Sequence, residues 1–285
     1  MNHGSTISSF LASAFLIVNS AVSQDSVRIY VYPSSSNFDE KVNARVSIVD
    51  QKYKYGYEIV SYASSEQDIW SFGVYTTATI DTAEAPSSWA VMPPQITPDI
   101  PGIPWWGDDS VAFIRPNSSL VGFSCLSAGI PSIKDYYTNG WVELPVANAD
   151  PDSFVGAEEW RIGKVGKTLA PANPPYPFLP VNFLDTIKSY VNESRTLNWI
   201  FTQATANKYT ALINSAQSHL AATPPERGIA KAKLDSVLLS VYPDSAAGLL
   251  TSEAYALLRF NTEYVLQKLR EEDSDHQEED KTKPR

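Results

Sequence analysis

Tyr53-Lys54-Tyr55-Gly56-Tyr57-Glu58-Ile59 alternates large apolar residues with polar or small ones. At the two-residue period of a β-strand, this puts one face in a core and the other in water. The same pattern extends outward in both directions. Val27 to Tyr32 is β-branched and aromatic and stops at Pro33, and Ala44 to Val49 repeats the type. Ile69 to Ile80 carries Trp70, Phe72, Val74 and Tyr75 and is followed by a turn-forming stretch from Asp81 to Ser88. Further strands are expected at Trp89 to Met92, Val111 to Ile114, Leu120 to Leu126 and Tyr136 to Leu144. About seven or eight short strands, separated by Pro, Gly, Asn and Ser, predict an antiparallel β-sandwich over residues 26–146. No helical pattern interrupts them, which disfavours a parallel α/β sheet.

The pattern changes at Ala147. Pro151, Pro171, Pro174, Pro175, Pro177 and Pro180 punctuate residues 147–180, with Gly163 and Gly166 among them. Proline fixes φ and removes a donor, so this stretch reads as a Pro-rich linker that neither joins a sheet nor continues a helix. The aromatic pair Tyr176 and Phe178 suggests that it is pinned to a domain. After Val181 the apolar period becomes about 3.6 residues. One helix is spaced by Leu184, Ile187 and Val191, and a second covers Ala204 to Ala221. A third runs from Ile229 to Val241, and a fourth begins at Thr251 or Ser252, either of which can cap it. Residues 181–270 are therefore expected to form a small antiparallel helical bundle. The fold class is α+β by segregated modules. Residues 271–285 hold seven acids against three bases and no apolar side chain, and read as a disordered acidic tail.

The N-terminus reads as a signal peptide over residues 1–23. An apolar run from Phe10 to Val18 leads to Ala21-Val22-Ser23, small residues at the −3 and −1 positions before Gln24. The usual Lys or Arg ahead of Phe10 is missing. The run is too short for a membrane-spanning helix, so a secreted or periplasmic product is expected, with no transmembrane span in the mature chain. A net charge of −10 repels phosphate backbones, which argues against nucleic acid as a partner. Cys125 is the lone cysteine and cannot form an intramolecular disulfide. Its apolar neighbours Leu120 to Leu126 suggest a buried thiol that acts as a small hydrophobe.

Two segments carry a resemblance. Pro116-Asn117-Ser118-Ser119-Leu120, Gly122-Phe123-Ser124, Gly129-Ile130-Pro131 and Tyr136-Tyr137 form a pattern similar to that of Ig-like modules in uncharacterised exported bacterial proteins. Leu197-Asn198-Trp199-Ile200, Tyr209 to Ala216, Ala230 to Val237 and Leu250 to Ala254 resemble a C-terminal helical module of bacterial extracellular proteins. In that module a Gly-Trp-Ile motif precedes short helices, and Asn198 here stands in place of its Gly. The resemblance implies an Ig-like sandwich followed by a helical bundle, together with export, and carries no catalytic residue.

The inventory of reactive residues is thin. After residue 23 only His219 and His276 remain, no Gly-x-Ser-x-Gly elbow occurs, and zinc would have only Cys125 and His219. Arg161 to Lys167 lacks P-loop spacing and reads as a solvated turn. No cofactor or metal is expected. Carboxylates beside indoles remain: Trp105, Trp106, Asp108 and Asp109 form the candidate ligand surface, and Glu158-Glu159 precedes Trp160. Paired acids with aromatic platforms suit glycan binding or hydrolysis. In an extended segment adjacent acids point to opposite faces, so Asp108 and Asp109 could serve together only from a turn. The competing reading has the Pro-rich loop from Pro98 to Pro104 burying an indole over one end of the sandwich. The expected role is a non-enzymatic binding module for a protein or glycan outside the cytoplasm. The alternatives are a carboxylate-dependent glycan hydrolase and a structural adaptor in an envelope assembly.

Overall fold

The computed structural model describes residues 30–31, 34–92, 96–97, 100–142, 154–155 and 163–282. The expected signal segment, Pro98 at the start of the expected proline loop, and Glu158 to Trp160 lie outside them. A two-residue parallel pair joins β1 (Tyr30–Val31) to β11 (Phe154–Val155). Every other pairing of strands is antiparallel among the described residues. One sheet contains β2 (Glu40–Val49), β3 (Lys52–Ser61), β9 (Ser118–Ser127) and β5 (Thr82–Glu84), in the order β2-β3-β9-β5. The other runs β12-β10-β4-β8-β6, from β12 (Lys164–Ala172) through β10 (Ile130–Gly140), β4 (Ile69–Tyr75) and β8 (Ile100–Gly107) to β6 (Trp89–Val91). A short β7 (Ile96–Thr97) also pairs with β8.

The order β2-β3-β9-β5 facing β12-β10-β4 matches strands A-B-E-D against G-F-C of an immunoglobulin sandwich. One difference is that β5 precedes β8, the strand added beside β4. The opening Tyr-x-Tyr-x-Tyr alternation supplies the inner face of β3, with Tyr55, Tyr57 and Ile59 all buried. Rings from both sheets meet there. Phe72 lies 5.6 Å from Tyr57 and 5.5 Å from Phe123, and Trp89 lies 4.9 Å from Phe123. Asp50 and Gln51 both have positive φ, the conformation a two-residue type I′ hairpin turn needs between β2 and β3.

Several expectations are corrected. Val111 to Ile114 is not a strand but a turn, and only Ile114 bridges, to Ile69. Residues 100–104 of the expected proline loop belong to β8. Pro104 fits there because a residue's N and O point to the same side of a strand. Its carbonyl accepts from Met92 N, just past the end of β6, so the missing donor costs no bond to β4. Residues 164–172 of the expected linker form β12, paired with β10 from Thr138↔Lys164 to Ile130↔Ala172. They lie on a sheet edge, where Pro171 is tolerated. Its carbonyl accepts from the Thr76 hydroxyl and from Thr77 N. The expected solvated turn is strand from Lys164 onward, and its two glycines are packing sites: a Cβ on Gly163 would fall 2.4 Å from the Thr138 carbonyl oxygen, and one on Gly166 2.4 Å from the Tyr136 ring.

Four helices follow: α1 (Pro180–Thr196), α2 (Gln203–Leu220), α3 (Arg227–Ala246) and α4 (Ser252–Thr282). Pro180 opens α1, and the Thr202 side chain caps α2 by accepting from Thr205 N. The turn from α1 to α2 and the turn from α3 to α4 share one design. Asn198 and Gly248 each take positive φ, and Ile200 and Leu250 bridge the two turns. Asn is the residue after Gly best suited to a left-handed helix end, which explains Asn198 in the glycine position. α4 does not end near Arg270. Lys268–Glu271, Arg227–Glu272 and Lys231–Asp273 ion pairs tie down its next turn, and the helix continues to Thr282.

The sandwich and bundle share one continuous core rather than hanging on a free linker. Phe260 of α4 packs 5.3 Å from Tyr53, and Asn261 Nδ2 donates to the Pro131 carbonyl. Buried Glu253, in the first turn of α4, accepts from Ala44 N at 2.6 Å and so covers part of the β2 edge. Phe178 is pinned against Phe183 and Tyr264, while Tyr176 is exposed.

Candidate functional site

The strand period separates the two indoles of the expected ligand surface, while its two acids sit in a turn. Trp105 is 0% exposed, stacks on Phe72 at 5.3 Å and donates from Nε1 to the Glu84 carbonyl. Trp106 is half-buried on the opposite face of β8. Asp108 and Asp109 are exposed in the turn that follows. Asp109 Oδ1 accepts from the backbone N–H groups of Val111 and Ala112, which shapes that turn. Trp105 and Trp106 therefore form no common platform.

A different arrangement lies on the outer face of the β2-β3-β9-β5 sheet. A depression of about 400 Å³ opens above Gly56. Alternation along β2 and β3 places Asn43, Arg45, Lys54, Gly56 and Glu58 on this side, with Arg45 paired to Gly56 and Asn43 to Glu58. From the other flank come Ser124 and Val121 of β9 and Glu84 of β5. The register of β3 against β9 slips between Tyr57 and Glu58, where Gly122 has φ +106°. Such a bulge re-aims its neighbours, and Val121 is left 62% exposed.

The polar wall is ordered. Lys54 Nζ lies 2.8 Å from Glu84 Oε2, and the Ser124 hydroxyl donates to the same oxygen at 2.7 Å. Those two bonds hold the Glu84 carboxyl below its ordinary pKa. Asn43 Nδ2 donates to Glu58 Oε2 at 3.2 Å. Arg45 is exposed and has no hydrogen-bond or ion-pair partner among the described residues.

Gly56 stands out among the strand glycines. A Cβ on Gly73 would fall 2.1 Å from the Tyr137 ring, and one on Gly102 would fall 2.4 Å from the Val74 carbonyl oxygen. At Gly56 a Cβ would meet no atom of the described residues within 4 Å, and the backbone does not need positive φ. Neither packing nor conformation requires glycine there. A glycine inside a strand weakens it and often marks a bulge, a bend, or the close approach of a ligand or another backbone.

The rest of the described surface offers little chemistry. No group of three His, Cys, Asp or Glu side chains among the described residues is placed to hold a metal ion. Cys125 is buried, and burial pushes its thiol up to about 12, so it is not a nucleophile near neutral pH. His219, on α2, pairs with Glu226. No helix among the described residues is long and apolar enough to cross a membrane.

Sequence reasoning missed Arg45, Gly56, Glu58, Glu84 and Ser124. The one local signal was a glycine in the middle of the most regular strand of the chain. No family model and no curated protein matches the sequence. Among solved structures, an uncharacterised protein from Nocardia farcinica, described as revealing an immunoglobulin-like fold, matches with 11% identity and a TM-score of 0.29. The match covers 46% of this chain and 97% of that one.

Proposed function

We propose that this chain is an exported binding module that holds a glycan in the depression over Gly56. The observation that carries the reading is the open floor at Gly56, a strand glycine that the fold itself does not use. The volume lies in the range of small-ligand sites, which start at about 300 Å³. The wall alternates acceptors and donors: Glu58 and Glu84 accept, while Arg45, Lys54, Asn43 and Ser124 can donate. Sugar hydroxyls both give and take hydrogen bonds and match such a wall. Val121 adds an apolar contact at its edge. Export rests on the apolar run from Phe10 to Val18 and the small residues before Gln24.

The test is a glycan array probed with the wild-type protein and with Gly56→Val, followed by calorimetry on the best ligands. Binding that is lost in Gly56→Val while the variant stays folded supports the reading. Glycan binding unchanged in Gly56→Val places the ligand elsewhere. Failure of the wild type to bind any glycan overturns the proposal and favours a protein partner or a scaffolding role. N-terminal sequencing of the protein recovered from culture medium or periplasm tests export, and a start at Met1 refutes it.

A further inference from the structure

We infer that the glycan held over Gly56 is acidic, with the carboxylate of a hexuronate unit bound by Arg45. This rests on the depression being the binding site. Four charged side chains line it, and three are engaged: Lys54 with Glu84, and Glu58 with the Asn43 amide. Arg45 is the fourth, paired in register with Gly56 and without a partner among the described residues. A guanidinium presents parallel N–H donors in a rigid fork that matches the two oxygens of a carboxylate. The glycine beside it leaves clear the approach that any larger residue would narrow.

The surrounding charge supports the assignment. The chain carries −10 overall, yet this face turns outward Lys41, Arg45, Lys52 and Lys54 against Glu58, Asp81 and Glu84. Lys52 is paired with Asp81, and Lys41, four residues before Arg45 on the same side of β2, has no partner among the described residues. The excess is small and concentrated along one strand. One free guanidinium with Glu58 and Glu84 in the wall suits a single negative charge. A dianion such as phosphate would meet both carboxylates as well.

The decisive pair of probes is trigalacturonate and its methyl ester, which differ in charge and share the same hydroxyls. Wild-type protein is expected to bind the acid about 10-fold to 100-fold more tightly than the ester, as one charge-assisted hydrogen-bonded contact allows. Arg45→Gln is expected to abolish that preference, and Arg45→Lys to restore part of it, since an ammonium keeps the charge and loses the fork. Affinity for the acid should fall with added salt. Equal binding of acid and ester, or a preference that survives Arg45→Gln, overturns the inference. If both probes bind equally and Gly56→Val removes both, the depression remains the site and only the acidic ligand is refuted. If acid binding survives Gly56→Val, both readings fail. Should the wild type bind neither probe, the acidic glycan is refuted, and the neutral members of the array decide whether the depression binds sugar at all.

Discussion

Gly56→Val should make this protein more stable, an unusual direction for a substitution at a proposed site. A glycine in a strand loses more backbone entropy on folding than other residues and contributes no side chain to the sheet. The span between poor and good β-formers is about 1 kcal/mol. No opposing term is visible among the described residues: the new Cβ meets no atom within 4 Å, the depression above it has room for the two methyls, and the backbone is outside the left-handed region. A gain of about 1 kcal/mol would raise the melting temperature by about 2 °C in a chain of this size. Urea unfolding followed by tryptophan fluorescence reads the change as a higher midpoint at unchanged slope. Gly73→Ala is the matched control. Its Cβ would fall 2.1 Å from the Tyr137 ring, and overpacking of that kind costs about 1–3 kcal/mol. If Gly56→Val also lowers the midpoint, the space above Gly56 is occupied in the folded protein, and the depression cannot be the binding site.

Other substitutions separate structural from surface roles. Trp105→Ala should cost about 3–5 kcal/mol, and Trp106→Ala, on the half-buried outer face, clearly less; similar costs in thermal melts would refute the placement of Trp105 in the core. Glu253→Ala strands the Ala44 N–H and should cost about 1–3 kcal/mol, whereas Glu253→Gln keeps an acceptor and should cost less. Hydrogen exchange at Ala44 should accelerate only in the alanine variant. Burial lifts the Glu40 carboxyl above its ordinary 4.5, against the pull of Lys164, Tyr136 and Thr138. Between that value and the raised one the native protein binds more protons than the unfolded chain, so this group's contribution falls as pH rises through that window. Glu40→Gln should therefore be more stable than the parent at pH 7 and lose that advantage by about pH 4; an advantage that does not change with pH would count against it. Cys125, its thiol pushed up to about 12 by burial, should resist thiol reagents at pH 8 until denaturant is added.

The fold was legible where a local pattern determines it. Tyr53 to Ile59 announced a half-buried strand, and the 3.6-residue spacing after Val181 announced the helices, because each pattern is set by the residues of one element alone. The errors have a different physical origin. Pro104 and Pro171 read as loop residues because a missing donor is harmless only on a side with no bond to make, and strand order decides which side that is. Residues 271–274 read as tail because their partners Arg227, Lys231 and Lys268 lie on α3 or one turn back along α4.

The candidate site escaped sequence reading for the same reason, in sharper form. Gly56, Gly73 and Gly166 all interrupt strands, and nothing local to each glycine says whether its Cβ position is filled. What distinguishes them is whether a side chain from a neighbouring strand lies over them: Tyr137 covers Gly73, Tyr136 covers Gly166, and no described side chain covers Gly56. That property belongs to the joint register of β2, β3 and β9, since a one-residue slip of either neighbour would carry Arg45 or Ser124 to the other face. The bulge at Gly122 adds such a slip once, past Tyr57, and leaves Val121 at the rim of the space. Arg45 gains its meaning in the same way. A lone arginine on a strand is ordinary, and a guanidinium without a carboxylate partner beside an uncovered glycine becomes visible only when three strands are aligned. The outer face of this sheet is thus a place where the local rules of strand formation are relaxed, at Gly56 and Gly122 together, without a visible gain in stability. Binding is the gain that would account for it.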